Sequence, residues 1–128
     1  MLTTEQQVFD VVVEHLMTQG AVSWSCEFNG CVYRSADGKK CAIGCLIPDS
    51  KYSPSLEGLP STGPEVLEAL KETVQISPKI VNLLMELQRI HDNIAPSGWS
   101  HKLLVLGIDR GYDLTVIFET RDKLRTMS

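Results

Sequence analysis

The residues most able to do chemistry in this chain are its four cysteines and three histidines. Cys26, Cys31, Cys41 and Cys45 follow the pattern Cys-x4-Cys-x9-Cys-x3-Cys. Four thiolates converging tetrahedrally would suit zinc, although this spacing is looser than that of paired Cys-x-x-Cys knuckles. The competing reading makes them small buried hydrophobes, a common fate of free cysteine.

A second chemistry needs a single thiol. Cys41 falls where an extended segment could give way to a helix, and a helix N-terminus lowers a thiol pKa and makes it nucleophilic. A base would be required. His91 or His101 could supply it, with Asp92 or Asn93 orienting the ring. Adjacent side chains diverge by about 100° on a helix, so Asp92 is expected to be poorly placed to orient His91. Otherwise Cys41 is an inert buried thiol, while His91 and Asp92 finish a helix and hydrogen-bond to a loop.

Arg34 follows Tyr33, an expected core residue, and Asp49, Glu57 and Asp92 are its candidate partners for anchoring that loop. Gly44, in Ile43-Gly44-Cys45, either lets a backbone approach a ligand or marks tight packing against a helix; the second is expected. There is no phosphate-binding glycine loop, His-Glu-x-x-His, Gly-x-Ser-x-Gly or dinucleotide fingerprint. Nucleotide-dependent enzymes are therefore disfavoured and no cofactor is expected.

Whether these groups meet depends on the elements that carry them. Thr4 and Gln7 form a capping-box pattern before Phe9, Val12, Val13 and Leu16, and Gly20 supplies a stop, which predicts a helix over about 5–19. Asn29-Gly30 reads as a two-residue hairpin turn between 25–28 and 31–34. That register pairs Phe28 with Cys31 and Cys26 with Tyr33, all four facing the core. Asp37-Gly38 turns the chain again, and Cys41 to Ile47 is either a third strand or a short helix ended by Pro48.

Pro48 to Pro64, rich in proline, glycine and serine, reads as a long irregular loop pinned by Tyr52, Leu56 and Leu59. Thr62 and Glu65 repeat the capping box before a helix over 64–73. Ser77-Pro78 opens a longer helix whose apolar stripe runs from Ile80 to Ile94. Ser97 is expected to cap a fourth helix carrying Trp99 and ending near Gly111. Leu114 to Glu119 suits a strand joining the hairpin sheet, unless Asp113 caps a last helix. The expected architecture is α+β: a small antiparallel hairpin sheet packed on about four helices, in one domain spanning 1–128.

Two motifs carry a resemblance. The first is Cys31-Val32-Tyr33-Arg34, then Asp37-Gly38-Lys39-Lys40-Cys41-Ala42-Ile43-Gly44-Cys45-Leu46-Ile47-Pro48-Asp49, continuing through Tyr52 to Glu57-Gly58. The second is Leu87-Gln88-Arg89-Ile90-His91-Asp92, followed by Trp99. Together they resemble a family of small, functionally uncharacterised bacterial and phage-encoded proteins. The resemblance implies a bacterial or phage origin and transfers no catalytic residue.

Composition sets the remaining bounds. At 128 residues, 43% apolar and 22% charged, the chain can bury one core without staples. Its net charge of −4, with basic residues dispersed, is unlike the footprint of a nucleic-acid binder. No apolar run approaches the length of a membrane span, and the start lacks a secretory pattern, so a cytoplasmic protein with reduced cysteines is expected. The leading expectation is a non-enzymatic interaction module, an inhibitor or modulator of a host or defence component, with a protein partner the sequence leaves open. Its binding residues would be Arg34, Asp49, Tyr52, Glu57, His91, Asp92 and Trp99. A small cysteine enzyme or ligand-binding protein using Cys41, His91 and Asp92, and a zinc-stabilised module, are the alternatives. The apolar helices leave room for a homodimer, although burial within one chain explains the same stripes.

Overall fold

The first helix forms where its signals stand. In the computed structural model, which describes residues 1–127, α1 spans Glu5–Gln19. The Thr4 hydroxyl accepts from the Gln7 N–H at 3.1 Å, the Gln7 side chain accepts from the Thr4 N–H at 3.2 Å, and Gly20 ends the helix at φ +62°. Val8, Phe9, Val12, Val13 and Leu16 are buried.

The hairpin adopts another register. Strands β1 (Trp24–Ser25) and β2 (Gly30–Cys31) pair antiparallel, with Trp24 opposite Cys31 and Ser25 opposite Gly30. The turn is therefore Cys26-Glu27-Phe28-Asn29. A two-residue type I′ turn needs positive φ at both central residues, and of Asn29 and Gly30 only Asn29, at φ +50°, has it. Cys26 and Phe28 consequently lie exposed at the tip instead of facing the core.

The second turn stands as predicted: Gly38 takes φ +86° and Arg34 bridges Lys40 antiparallel. Beyond it the chain does not form a third strand but coils into a 3-10 turn, Gly44–Leu46, ahead of Pro48. Gly44 packs tightly, though against a main chain and not a helix. A Cβ there would lie 2.0 Å from the Tyr33 carbonyl oxygen.

Helix α2 is Pro64–Leu70, capped by Gly63 without a side-chain bond. With Pro64 as its first residue the cap position falls one residue after Thr62, so the expected capping box cannot close. The helix stops before Thr73 because residues 73–75 lie beside Leu2, whose N–H donates to the Thr73 carbonyl at 2.7 Å. Helix α3, Pro78–Asn93, keeps its predicted Ser77 cap and buries Ile80, Leu83, Leu84, Leu87, Gln88, Ile90 and His91. A 3-10 turn, Pro96–Gly98, replaces the Ser97 cap before α4, Trp99–Arg110, which ends at Gly111 with φ +72°.

The tail is α5, Thr115–Met127, and not a strand. The Asp113 carboxylate accepts from the Thr115 N–H at 2.8 Å, and Leu114, Ile117 and Leu124 are spaced for one helical face. Local β propensity yields to a cap and a stripe that packs on α1. The α+β class holds, with helices dominant around one apolar core. Among the described residues no helix is long and apolar enough to cross a membrane.

Candidate functional site: an acidic pocket under the long loop

The loop from Pro48 to Gly63 has almost no regular structure, yet side chains fix it. Glu57 replaces a missing strand: Oε1 accepts from the Tyr33 N–H at 2.9 Å, and Oε2 accepts from the Arg34 N–H at 3.1 Å and the Tyr52 hydroxyl at 2.8 Å. The Tyr33 hydroxyl donates to the Leu59 carbonyl at 2.7 Å. Arg34 Nη1 pairs with Asp49 Oδ1 at 2.8 Å, Nη2 donates to the Ile47 carbonyl at 2.7 Å, and the guanidinium lies 4.6 Å over the Tyr52 ring.

Of the three acids expected near Arg34, Asp49 takes its side chain and Glu57 its main-chain N–H. The Asp49 side chain is 88% exposed, so the ion pair itself is worth about 0–1 kcal/mol. Arg34 acts chiefly by holding Ile47 and covering Tyr52. Arg34→Ala should therefore speed chymotryptic cleavage after Tyr52 about tenfold, since losing roughly 1.4 kcal/mol of local stability raises the open fraction that much. Unchanged cleavage would exclude this role.

A second network hangs from the last turns of α3. Gln88 Oε1 accepts from the Ile43 N–H at 3.0 Å, and Gln88 Nε2 donates to Asp92 Oδ1 at 2.8 Å. His91 is fully buried and stacks on Trp99 with ring centroids 5.4 Å apart. Its Nε2 faces the Ser23 N–H at 3.0 Å and its Nδ1 faces Asp92 Oδ1 at 2.8 Å. The Ser23 N–H can only donate, so Nε2 carries the lone pair and Nδ1 the proton. Asp92 thus does orient His91, contrary to the expectation. The 100° divergence describes Cβ directions, whereas Nδ1 lies close to the helix backbone, within reach of a carboxylate that bends back.

Between these networks lies a pocket of about 230 Å³, lined among others by Cys31, Tyr33, Glu57, Ser61, Gln88 and Asp92. Its lining has two carboxylates and no basic side chain. The thiols record this environment. Burial pushes Cys31 up to about 11, and Asp92 adds to the shift. Burial pushes Cys41 up to about 12, with Asp92 and Cys45 adding to it against donation from the Gly44 N–H. Burial, then Cys41, Glu57 and Asp92, also raises the Tyr33 hydroxyl. Negative charge in a sheltered cavity disfavours every further anion.

Neither sequence-derived chemistry is assembled here. Cys41 is buried, and burial holds its thiol in the protonated form even though the Gly44 N–H, which donates to its Sγ at 3.2 Å, works the other way. Both His91 nitrogens are engaged, His101 is exposed on α4, and the Asn93 side chain donates to the Arg89 carbonyl. The four cysteines are free and do not converge. Among the described residues one group of three potential ligands gathers within 4.8 Å, Cys31, His91 and Asp92. As arranged here it is a poor metal site, because a metal on the inward-facing Nδ1 would have to push its proton onto Nε2, against the Ser23 N–H.

Sequence reasoning missed Gln88, Ser23 and Tyr33 as network members. Gln88 had a readable signal: it is a polar residue on the apolar stripe between Leu84 and His91. Ser23 acts through its main-chain N–H, which no side-chain pattern reveals. No protein-family model, no curated protein and no solved structure matches the chain.

Proposed function

We propose that the chain is a protein-interaction module of bacterial or phage origin, acting in the cytoplasm as an inhibitor or modulator of a host or defence component. Its working surface is the fixed loop with the pocket beneath it, and the pocket receives a basic group of the protein partner. One observation carries this reading: the pocket is lined by two carboxylates and no cation, while the thiols inside it are held protonated. A fixed loop also supports it, since a preorganised surface loses little conformational entropy on binding.

Nα-acetyl-lysine amide is a suitable probe. In amide-resolved NMR it should shift Cys31, Gly58, Ser61 and Asp92, while the neutral Nα-acetyl-norleucine amide should not, and Asp92→Asn should abolish the difference. Equal responses to the two probes, or shifts confined to other regions, would overturn the basic-group reading.

Thiol labelling tests the enzyme alternative. At neutral pH exposed Cys26 should alkylate first, and Cys41 and Cys45, both pushed up to about 12 by burial, should be slowest. A Cys41 that outpaces Cys26 would restore the cysteine-enzyme reading in place of this one.

A further inference from the structure

A second concavity shares no residue with the acidic pocket. It holds about 360 Å³ where the end of α1, the start of α4 and the last turns of α5 meet. Its floor is apolar: Leu16 and Trp99 are buried, and Met17 and Leu124 are half-buried. The charged residues lining it are Arg121 and Arg125, with no acidic side chain among the lining, on a chain of net charge −4.

The surroundings add to this polarity. Gly98 gives the first turn of α4 no side-chain cap, so the positive end of the helix dipole lies beside Ser100 at the groove. Arg125 approaches Asp122 at 4.0 Å, and the Arg121 guanidinium stands 5.7 Å over the Phe118 ring. A guanidinium has five donors, so the ring contact leaves Arg121 capacity for a further acceptor. The groove lies within the range of about 300–1,000 Å³ typical of small-molecule sites, which are mostly apolar with a few polar groups that set orientation.

We propose that this groove binds a small amphipathic carboxylate, its apolar tail on the Leu16–Trp99–Leu124 floor and its head on the Arg121 guanidinium, beside the Arg125 charge. Planar forks favour a carboxylate, which accepts two parallel N–H bonds from one guanidinium. The inference is independent of the acidic pocket, where an anion would be repelled.

Titration of the full chain with sodium octanoate, 1-octanol and sodium acetate at fixed ionic strength, followed by amide-resolved NMR, tests it. Octanoate should saturably shift Gly20, Trp99 and Ser100. Octanol should bind about tenfold more weakly, a difference of roughly 1.4 kcal/mol, and acetate should not saturate. The double variant Arg121→Gln, Arg125→Gln should lose that advantage for octanoate yet keep its affinity for octanol, which shows that the groove remains folded. Equal affinity for octanol and octanoate, wild-type octanoate binding by the double variant, or shifts absent from the groove would each overturn the proposal.

Discussion

Replacing Gly44 with alanine is expected to destabilise the chain by about 3 kcal/mol or more, at the upper end of what overpacking costs. The added methyl would lie 2.0 Å from the Tyr33 carbonyl oxygen, 2.8 Å from its carbon and 3.0 Å from its Cα. These are main-chain atoms, so no rotamer change can relieve the clash. Tyr33 cannot retreat alone. Its carbonyl accepts from the Cys41 N–H at 3.2 Å, its N–H is held by Glu57, and its hydroxyl is held by Leu59. Moving it would strain the turn, the loop and the pocket together. Gly30→Ala is the control, because its nearest atom would be 3.8 Å away and its φ is not left-handed. Urea denaturation should show a large fall in midpoint for Gly44→Ala and a small one for Gly30→Ala. Equal midpoints would mean that the close approach is not what fixes glycine at this position.

Gly44 also shows where sequence reading stops. Its tight packing was legible, but its neighbour was not, because Tyr33 meets it through main-chain atoms across two turns. Elements with local signals were read well: Thr4 with Gln7, Ser77-Pro78, and Gly20 and Gly111 each act where they stand. Errors arose where one residue's difference in phase reverses the outcome. Asn29-Gly30 marks a turn, but with Gly30 already in the strand Cys26 and Phe28 move from the core to the surface. Thr62 misses the cap position by one residue for the same reason. In the tail, β-branched residues outweighed the Asp113 cap and the helical spacing behind it.

The site was legible as membership more than as chemistry. Arg34, Asp49, Tyr52 and Glu57 form one network, and His91, Asp92 and Trp99 belong to the other. Their roles depend on which proton faces which lone pair, and that follows from distant partners such as Ser23. The second motif, Leu87 to Asp92, fastens two irregular segments to α3 through Gln88 and His91. A motif of catalytic residue types can therefore be a structural clamp.

The clamp gives the other large prediction. His91→Ala should cost about 4 kcal/mol, combining a core cavity with a buried Ser23 N–H that has lost its acceptor, the latter worth about 1–3 kcal/mol. Two polar replacements separate the ends of the ring. Glutamine can place a carbonyl oxygen where Nε2 accepts from Ser23, whereas asparagine can place its amide where Nδ1 donates to Asp92. Ser23 is fully buried, but the Asp92 side chain is 37% exposed, so water can replace the lost donor at Asp92 and cannot replace the lost acceptor at Ser23. His91→Gln should therefore retain about 1–2 kcal/mol more stability than His91→Asn. Denaturation midpoints for the three variants give the order directly. If asparagine proves the better replacement, the Nδ1–H bond to Asp92 is the anchor and the Ser23 bond is not.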